Sequence, residues 1–215
     1  MDLEGKRILI TAGPTWVPID SVRVISNVAT GKTGILLAHE VMRQGAKVTL
    51  LLGPGAAVTV DKKVRILRFT YFDELRSMLL RELSTKKYDV VIHAAAVADY
   101  QMKNAYKCKV RSGLSHFNLK LISTPKLVDL LKRFDSSMLA VAFKFEPEAK
   151  ADVLTKRAKA LFDQAGVNLV VANTLRRKSY QAYLMEEDKV SGPLFSKTDM
   201  VKALVKKIGE YLGED

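Results

Sequence analysis

Residues 7–44, RILITAGPTWVPIDSVRVISNVATGKTGILLAHEVMRQ, set a continuous apolar strand, a loop of small and rigid residues and an amphipathic run one after another. Arg7 to Thr11 is the strand. The amphipathic run opens at Gly31, and Ile35, Leu36, Ala38, Val41 and Met42 recur at helical spacing. A strand without polar alternation is covered on both faces, which points to a parallel strand inside an α/β domain. The loop before the helix suits an anion, because unpaired N–H groups and the positive end of the helix dipole point at whatever sits there. Asn27, Thr30, Gly31 and Lys32 add an amide, a hydroxyl, bare backbone and a cation within six positions.

The same alternation continues along the chain. Lys47 to Leu52, Val64 to Arg68, Tyr88 to Ala94, Met138 to Phe143 and Leu169 to Ala172 read as strands. Helices are expected from Phe72 to Ser84, Thr124 to Phe134, Glu148 to Gln164 and Thr198 to Leu212. Phe117 to Ile122 reads as a further strand, Arg176 to Lys178 as a basic loop, and Tyr180 to Leu194 as a hairpin. This order predicts βαβ units in a Rossmann-like three-layer sandwich with a mainly parallel central sheet and a C-terminal hairpin. A chain of 215 residues with 48% hydrophobic content can bury one substantial core, so a single domain over residues 1–215 is expected.

A formal net charge of +12 favours anionic partners. The cations are scattered through every segment, with no basic tail and no basic helix interleaved with aromatics, so small anionic metabolites are expected ahead of nucleic acid. One cysteine, Cys108, excludes an internal disulfide. Its neighbours Lys107, Lys109 and Arg111 could activate it, but it reads as a small inert loop residue. No apolar run approaches the ~20 residues of a membrane span, and MDLEGKRILI lacks a leader pattern. A cytoplasmic protein without a membrane partner is expected.

Several familiar motifs fail on context. SNVATGKT has Ser26 where a P-loop needs glycine, and Pro14 and Pro18 separate it from the strand. No GxGxxG follows the first strand, and the second strand ends in Gly53 where a dinucleotide site wants an acid. His39, His93 and His116 have no ligand spacing and read as structural or surface residues. Asp99 lies just past the carboxyl end of a buried strand, where open α/β sheets bind ligands. It could hold Mg²⁺ against a triphosphate or cap a turn.

Taken in order, TAGPTWVPIDSVRVISNVATGKTG, HAAAVADY, the KCK segment, LKLISTPKLVDLL, AVAFKFE and VVANTL resemble the phosphopantothenate–cysteine ligase family of coenzyme A biosynthesis. The resemblance spans Arg7 to the C-terminal helix, and the first motif is the most specific. It implies a ligase that joins 4′-phosphopantothenate to L-cysteine through an acyl-nucleotide made from CTP, as in bacterial members, or ATP, as in eukaryotic ones. It implies Mg²⁺ at Asp99, a flap lysine at Lys107 or Lys109, and Asn27 hydrogen-bonded to the acyl-nucleotide. Gly13, Thr30, Gly31, Lys32, Ala95, Asp99, Phe143 and Lys144 fall where the family holds its nucleotide. A homodimer is implied too. Many bacterial members carry a flavin-dependent decarboxylase ahead of this part; a free-standing synthetase without flavin is expected here. The chain departs from the family at Ala29-Thr30, where two serines are usual, at Val17, where an acid is usual, and at Lys144, beside the nucleotide. The alternative from another class is a non-catalytic nucleotide- or RNA-binding module, which would retain RNA in a salt-dependent way without turning over nucleotide.

Overall fold

The computed structural model describes residues 3–55, 59–85 and 87–213. Six parallel strands form the body of one eight-stranded sheet: β1 (Arg7–Ala12), β4 (Lys47–Leu52), β5 (Arg65–Arg68), β6 (Val90–His93), β9 (Leu139–Phe145) and β10 (Leu169–Arg176). Their spatial order is β5-β4-β1-β6-β9-β10, and β11 (Ser179–Met185) and β12 (Val190–Leu194) extend the β10 edge antiparallel. β1 and β4 each begin with an exposed cation and are then buried without a break, the pattern of strands covered on both faces. One layer holds α1 (Lys32–Arg43) and α5 (Lys197–Gly213); the other holds α2 (Phe72–Thr85), α3 (Leu131–Phe134) and α4 (Ala151–Ala165). This is the expected Rossmann-like sandwich.

The strand order creates the site. From β1 the chain moves outward to β4 and β5, then returns to β6 and proceeds the other way to β9 and β10. Connections leaving β1 and β6 therefore diverge and open a crevice at their carboxyl ends, where doubly wound sheets bind ligands. α1 is aimed at this crevice by close packing. A Cβ on Gly34 would lie 2.3 Å from the Cβ of Ala12, so the helix approaches β1 only because that position is bare. Gly34→Ala is expected to cost about 1–3 kcal/mol through overpacking, read as a lowered thermal midpoint; an unchanged midpoint would show that α1 can shift freely.

Two small ribbons stand outside the sheet. β2 (Trp16–Pro18) pairs with β3 (Val24–Ser26), and β7 (Tyr100–Met102) with β8 (Leu121–Ser123). The strand expected from Phe117 to Ile122 is thus displaced to Leu121–Ser123, because pairing with β7 rather than burial defines it; all three residues are exposed. The helix expected to start at Thr124 is a 3₁₀ turn, Leu127–Leu130, running into the single turn of α3. Leu127 and Leu131 on it are buried in the core, with Val128 and Leu130 packed half-buried against it. The helix expected from Glu148 begins instead at Ala151, since Glu148 has φ 56° and uses its carboxylate to accept the Arg177 N–H. The basic loop at Arg176 to Lys178 proves to be a tight hairpin turn. Arg177 and Lys178, with φ of 48° and 66°, join β10 to β11, the backbone shape that matches strand twist.

Candidate functional site

A cavity of about 560 Å³ opens at the carboxyl ends of β1, β6, β9 and β10. The turn 94–99 after β6 forms one wall, and buried hydroxyls shape it. Thr11 Oγ1 accepts the Ala95 N–H at 3.2 Å, Thr15 Oγ1 accepts the Ala98 N–H at 2.9 Å, and the Thr124 hydroxyl donates to the Ala98 carbonyl at 2.6 Å. The Ala96 N–H donates to the Gly13 carbonyl at 2.9 Å. Asn27 reaches across from the loop before α1, its Nδ2 donating to Ala96 O at 3.1 Å and, weakly, to Val97 O at 3.5 Å. Turn and loop are thereby fixed to each other before any ligand arrives, the preorganisation an electrostatic site needs.

Of the residues expected from sequence, Asn27, Ala95, Asp99, Phe143 and Lys144 line this cavity together. Asp99 is exposed and ion-paired with Lys126. Lys144 is held 3.1 Å from Glu146, which also takes Arg157. Gly13 and Gly31 form the turn beneath: a Cβ on Gly31, with φ 72°, would stand 3.3 Å from Gly13 N, so backbone packs on backbone there. Thr30 is exposed beside them. Lys32 borders a neighbouring cavity with Lys178, Tyr180 and Lys197 instead. Lys107 and Lys109 are exposed on residues 103–120, outside the cavity wall.

Sequence reading missed further polar groups that line the cavity, among them Thr33, His93, Lys126 and Asn173. Asn173 lies within β10, with its Oδ1 buried and lacking a well-formed hydrogen bond, an acceptor available to a ligand. His93, at the end of β6, sits 2.9 Å from the Thr11 hydroxyl through Nδ1. Burial lowers its pKa to about 4, so the ring is neutral near pH 7. Because the folded value lies below the ordinary 6.5, His93 stabilises the fold fully above pH 6.5 and progressively less as pH falls toward 4. The loss over that window is about 3 kcal/mol. Thermal midpoints measured from pH 7 to 4 should fall more steeply for the native chain than for His93→Gln; parallel curves would contradict a buried neutral imidazole. Among the described residues no group of three or more His, Cys, Asp or Glu could by itself hold a metal ion.

A doubly wound α/β domain whose small-residue turns, amide and carboxylate converge at the switch point defines a ligand-binding domain. The chain belongs to the family described as DNA/pantothenate metabolism flavoprotein C-terminal domain, whose model matches residues 3–211. It is 38% identical over 189 residues to the coenzyme A biosynthesis bifunctional protein CoaBC of Thermococcus kodakarensis, covering 87% of this chain and 45% of that protein. The chain spans about half the length of the curated relatives it matches. Its structure resembles the C-terminal domain of a CoaBC protein with a TM-score of 0.81 at 27% identity, covering 99% of this chain and 98% of that one. The fold also matches a Cab2 variant solved in complex with phosphopantothenate-cysteine, with a TM-score of 0.79 at 18% identity over 97% and 88% of the two chains.

Proposed function

We propose that this chain is a phosphopantothenate–cysteine ligase domain, a single unit over residues 1–215, acting in coenzyme A biosynthesis. Membership of the family, together with a cavity that gathers Asn27, Ala95, Asp99 and Phe143 at the switch point, is the observation that carries this reading. In the first half-reaction the carboxylate of 4′-phosphopantothenate attacks the α-phosphate of CTP or ATP and pyrophosphate leaves. In the second, the amine of L-cysteine attacks the acyl carbon, forming the amide and expelling the nucleoside monophosphate. Phe143 packs on the nucleotide, Asn173 offers a buried acceptor to it, and N–H groups near Thr30 and Gly31 face the phosphates. Lys144 stands beside them. Lys32 reaches the phosphates only from the side of the neighbouring cavity. Lys107 and Lys109 supply cations from outside the cavity wall.

Among the described residues Asp99 alone offers a carboxylate to the cavity, which fits Mg²⁺, an ion commonly held by one or two carboxylates with the rest of its shell from substrate phosphates and water. When bound there, Mg²⁺ neutralises charge on the triphosphate. Neither half-reaction oxidises or reduces any atom, so the reading requires no flavin. Val24, Ile25, Tyr100, Leu121 and Ile122 leave both ribbons exposed and apolar, which supports a homodimer formed through them. No described helix is long and apolar enough to cross a membrane, in keeping with a cytoplasmic site of action. The test is pyrophosphate release with phosphopantothenate, cysteine and each of the four nucleotides in turn. Release that requires phosphopantothenate and ends in the amide is expected with CTP or ATP; no turnover with any nucleotide would overturn the reading.

A further inference from the structure

One buried carboxylate ties the β2–β3 ribbon to the segment that carries the two lysines. Asp20 occupies the turn between β2 and β3, and its side chain is fully covered while that of Arg23 is 39% exposed. Oδ1 accepts the N–H groups of Val22 and Arg23, both at 2.9 Å. Oδ2 accepts Arg23 Nε at 2.9 Å, Arg23 Nη2 at 2.6 Å and the Val110 N–H at 3.0 Å. Arg23 Nη2 donates also to the Val110 carbonyl at 2.6 Å, so both backbone groups of Val110 are taken by this pair. The guanidinium lies 5.4 Å from the Phe117 ring centre, and Phe117 packs against Tyr106 at 5.8 Å. The Tyr106 N–H in turn donates to Ile19 O at 2.9 Å.

Positions 106 and 110 are thus fastened to the same turn, and Lys107 and Lys109 lie on the short span between the fasteners. Residues 103–120 contain no helix or strand, so this span has no ladder of its own to define where its side chains stand. On its other side, Arg23 leads through β3 directly to Asn27. One ion pair therefore sets the lysine-bearing span relative to the loop that holds Asn27. Resting on the ligase reading above, we propose that Asp20 is a positioning residue for the ligation, acting through Lys107 and Lys109 by fixing the span between Tyr106 and Val110. It touches no reacting group. Its carboxylate is held well below the usual range, chiefly by Arg23, so the clasp stays ionised through the working pH range.

The test is a double-mutant cycle on pyrophosphate release. Asp20→Asn keeps the size of the side chain and removes its charge; it should lower the rate at least tenfold in the native background and change nothing further in a Lys107→Ala/Lys109→Ala background. A substitution that merely destabilised the fold would lower both backgrounds by the same factor, and that result, or a native rate for Asp20→Asn, would overturn the proposal. Val110→Pro deletes the amide donor to Asp20, while also fixing φ there and restricting Lys109; it should behave alike, which keeps the test open should Asp20→Asn fold poorly. A second readout needs no turnover. Trypsin should cut after Lys107, Lys109 and Arg111 at least tenfold faster in Asp20→Asn than in the native chain, and after Lys107 and Arg111 in Val110→Pro, whose Lys109–Pro bond it does not cleave, with native circular dichroism retained. Unchanged cleavage would sink the clasp itself, whereas a native chain that ligates nothing but shows the cleavage difference would sink the ligase reading and leave the clasp standing only as structure.

Discussion

Alanine at both Lys107 and Lys109 is expected to slow pyrophosphate release by about 10³-fold or more while the thermal midpoint stays within a degree or so of the native chain. Both side chains are exposed and make no ion pair among the described residues, so the fold loses nothing with them. Their use comes with the ligand. When a carboxylate attacks the α-phosphate, negative charge builds on the bridging and non-bridging oxygens, and a cation placed there lowers that transition state more than it lowers the bound ground state. Removing one preorganised donor typically costs 10² to 10³ in rate. The two candidates are separated only by Cys108 on a short span, and the single variants tell them apart: whichever alone reproduces most of the loss is the lysine on the phosphates. Pyrophosphate released at the native rate by the double variant would remove this segment from the mechanism.

Asn27→Asp is expected to separate the two half-reactions, with the first nearly intact and the second slowed by about 10² to 10³. The 3.1 Å bond to Ala96 O anchors the amide, while the 3.5 Å contact to Val97 O lies at the limit of a hydrogen bond. That second hydrogen is the one free to turn to the acyl carbonyl of a bound intermediate. It gains most when cysteine attacks and the carbonyl becomes an oxyanion, so it acts on the second transition state. Aspartate has no hydrogen to give and sets a negative charge against the same atom. A single turnover quenched in acid should therefore contain pyrophosphate and an accumulated acyl-nucleotide, weighed by mass spectrometry. Amide formed at the native rate would make Asn27 a loop residue only, and no pyrophosphate would move it to the first step.

The parallel core was legible because burial on both faces writes long apolar runs such as RILITA and VTLLL, and Gly31 and Gly45 punctuate the helix between them. The ribbons were not, since β2, β3, β7 and β8 have three residues each and pair by backbone, and among them only Val17 is buried, too little to impose alternation. The break at Arg176 to Lys178 reads from sequence as a basic loop and not as a tight hairpin turn, because Arg177 and Lys178 adopt positive φ without the glycine or asparagine that marks such turns. Within the site, Asn27, Ala95, Asp99 and Phe143 were found through motif order. Asn173 was hidden in the middle of a strand, where a polar residue reads as an interruption, and His93 was set aside because only the three-dimensional turn reveals that it faces the cavity. Lys32 turns toward a different cavity because a helix start fixes its backbone but leaves its long side chain free to follow Leu36 onto the other side of α1.

The central claim is that the phosphopantothenate carboxylate is activated by bonding to the α-phosphorus of a nucleotide. It is tested most directly by supplying phosphopantothenate labelled with ¹⁸O in its carboxylate, allowing ligation to proceed with cysteine, and weighing the phosphorus products. Attack at the α-phosphate leaves one carboxylate oxygen on that phosphorus when cysteine displaces it, so the nucleoside monophosphate should gain one ¹⁸O and the pyrophosphate none. Label in inorganic phosphate would mean an acyl phosphate formed at the γ-position, and product made with no label on any phosphorus would mean that no acyl-nucleotide lies on the path.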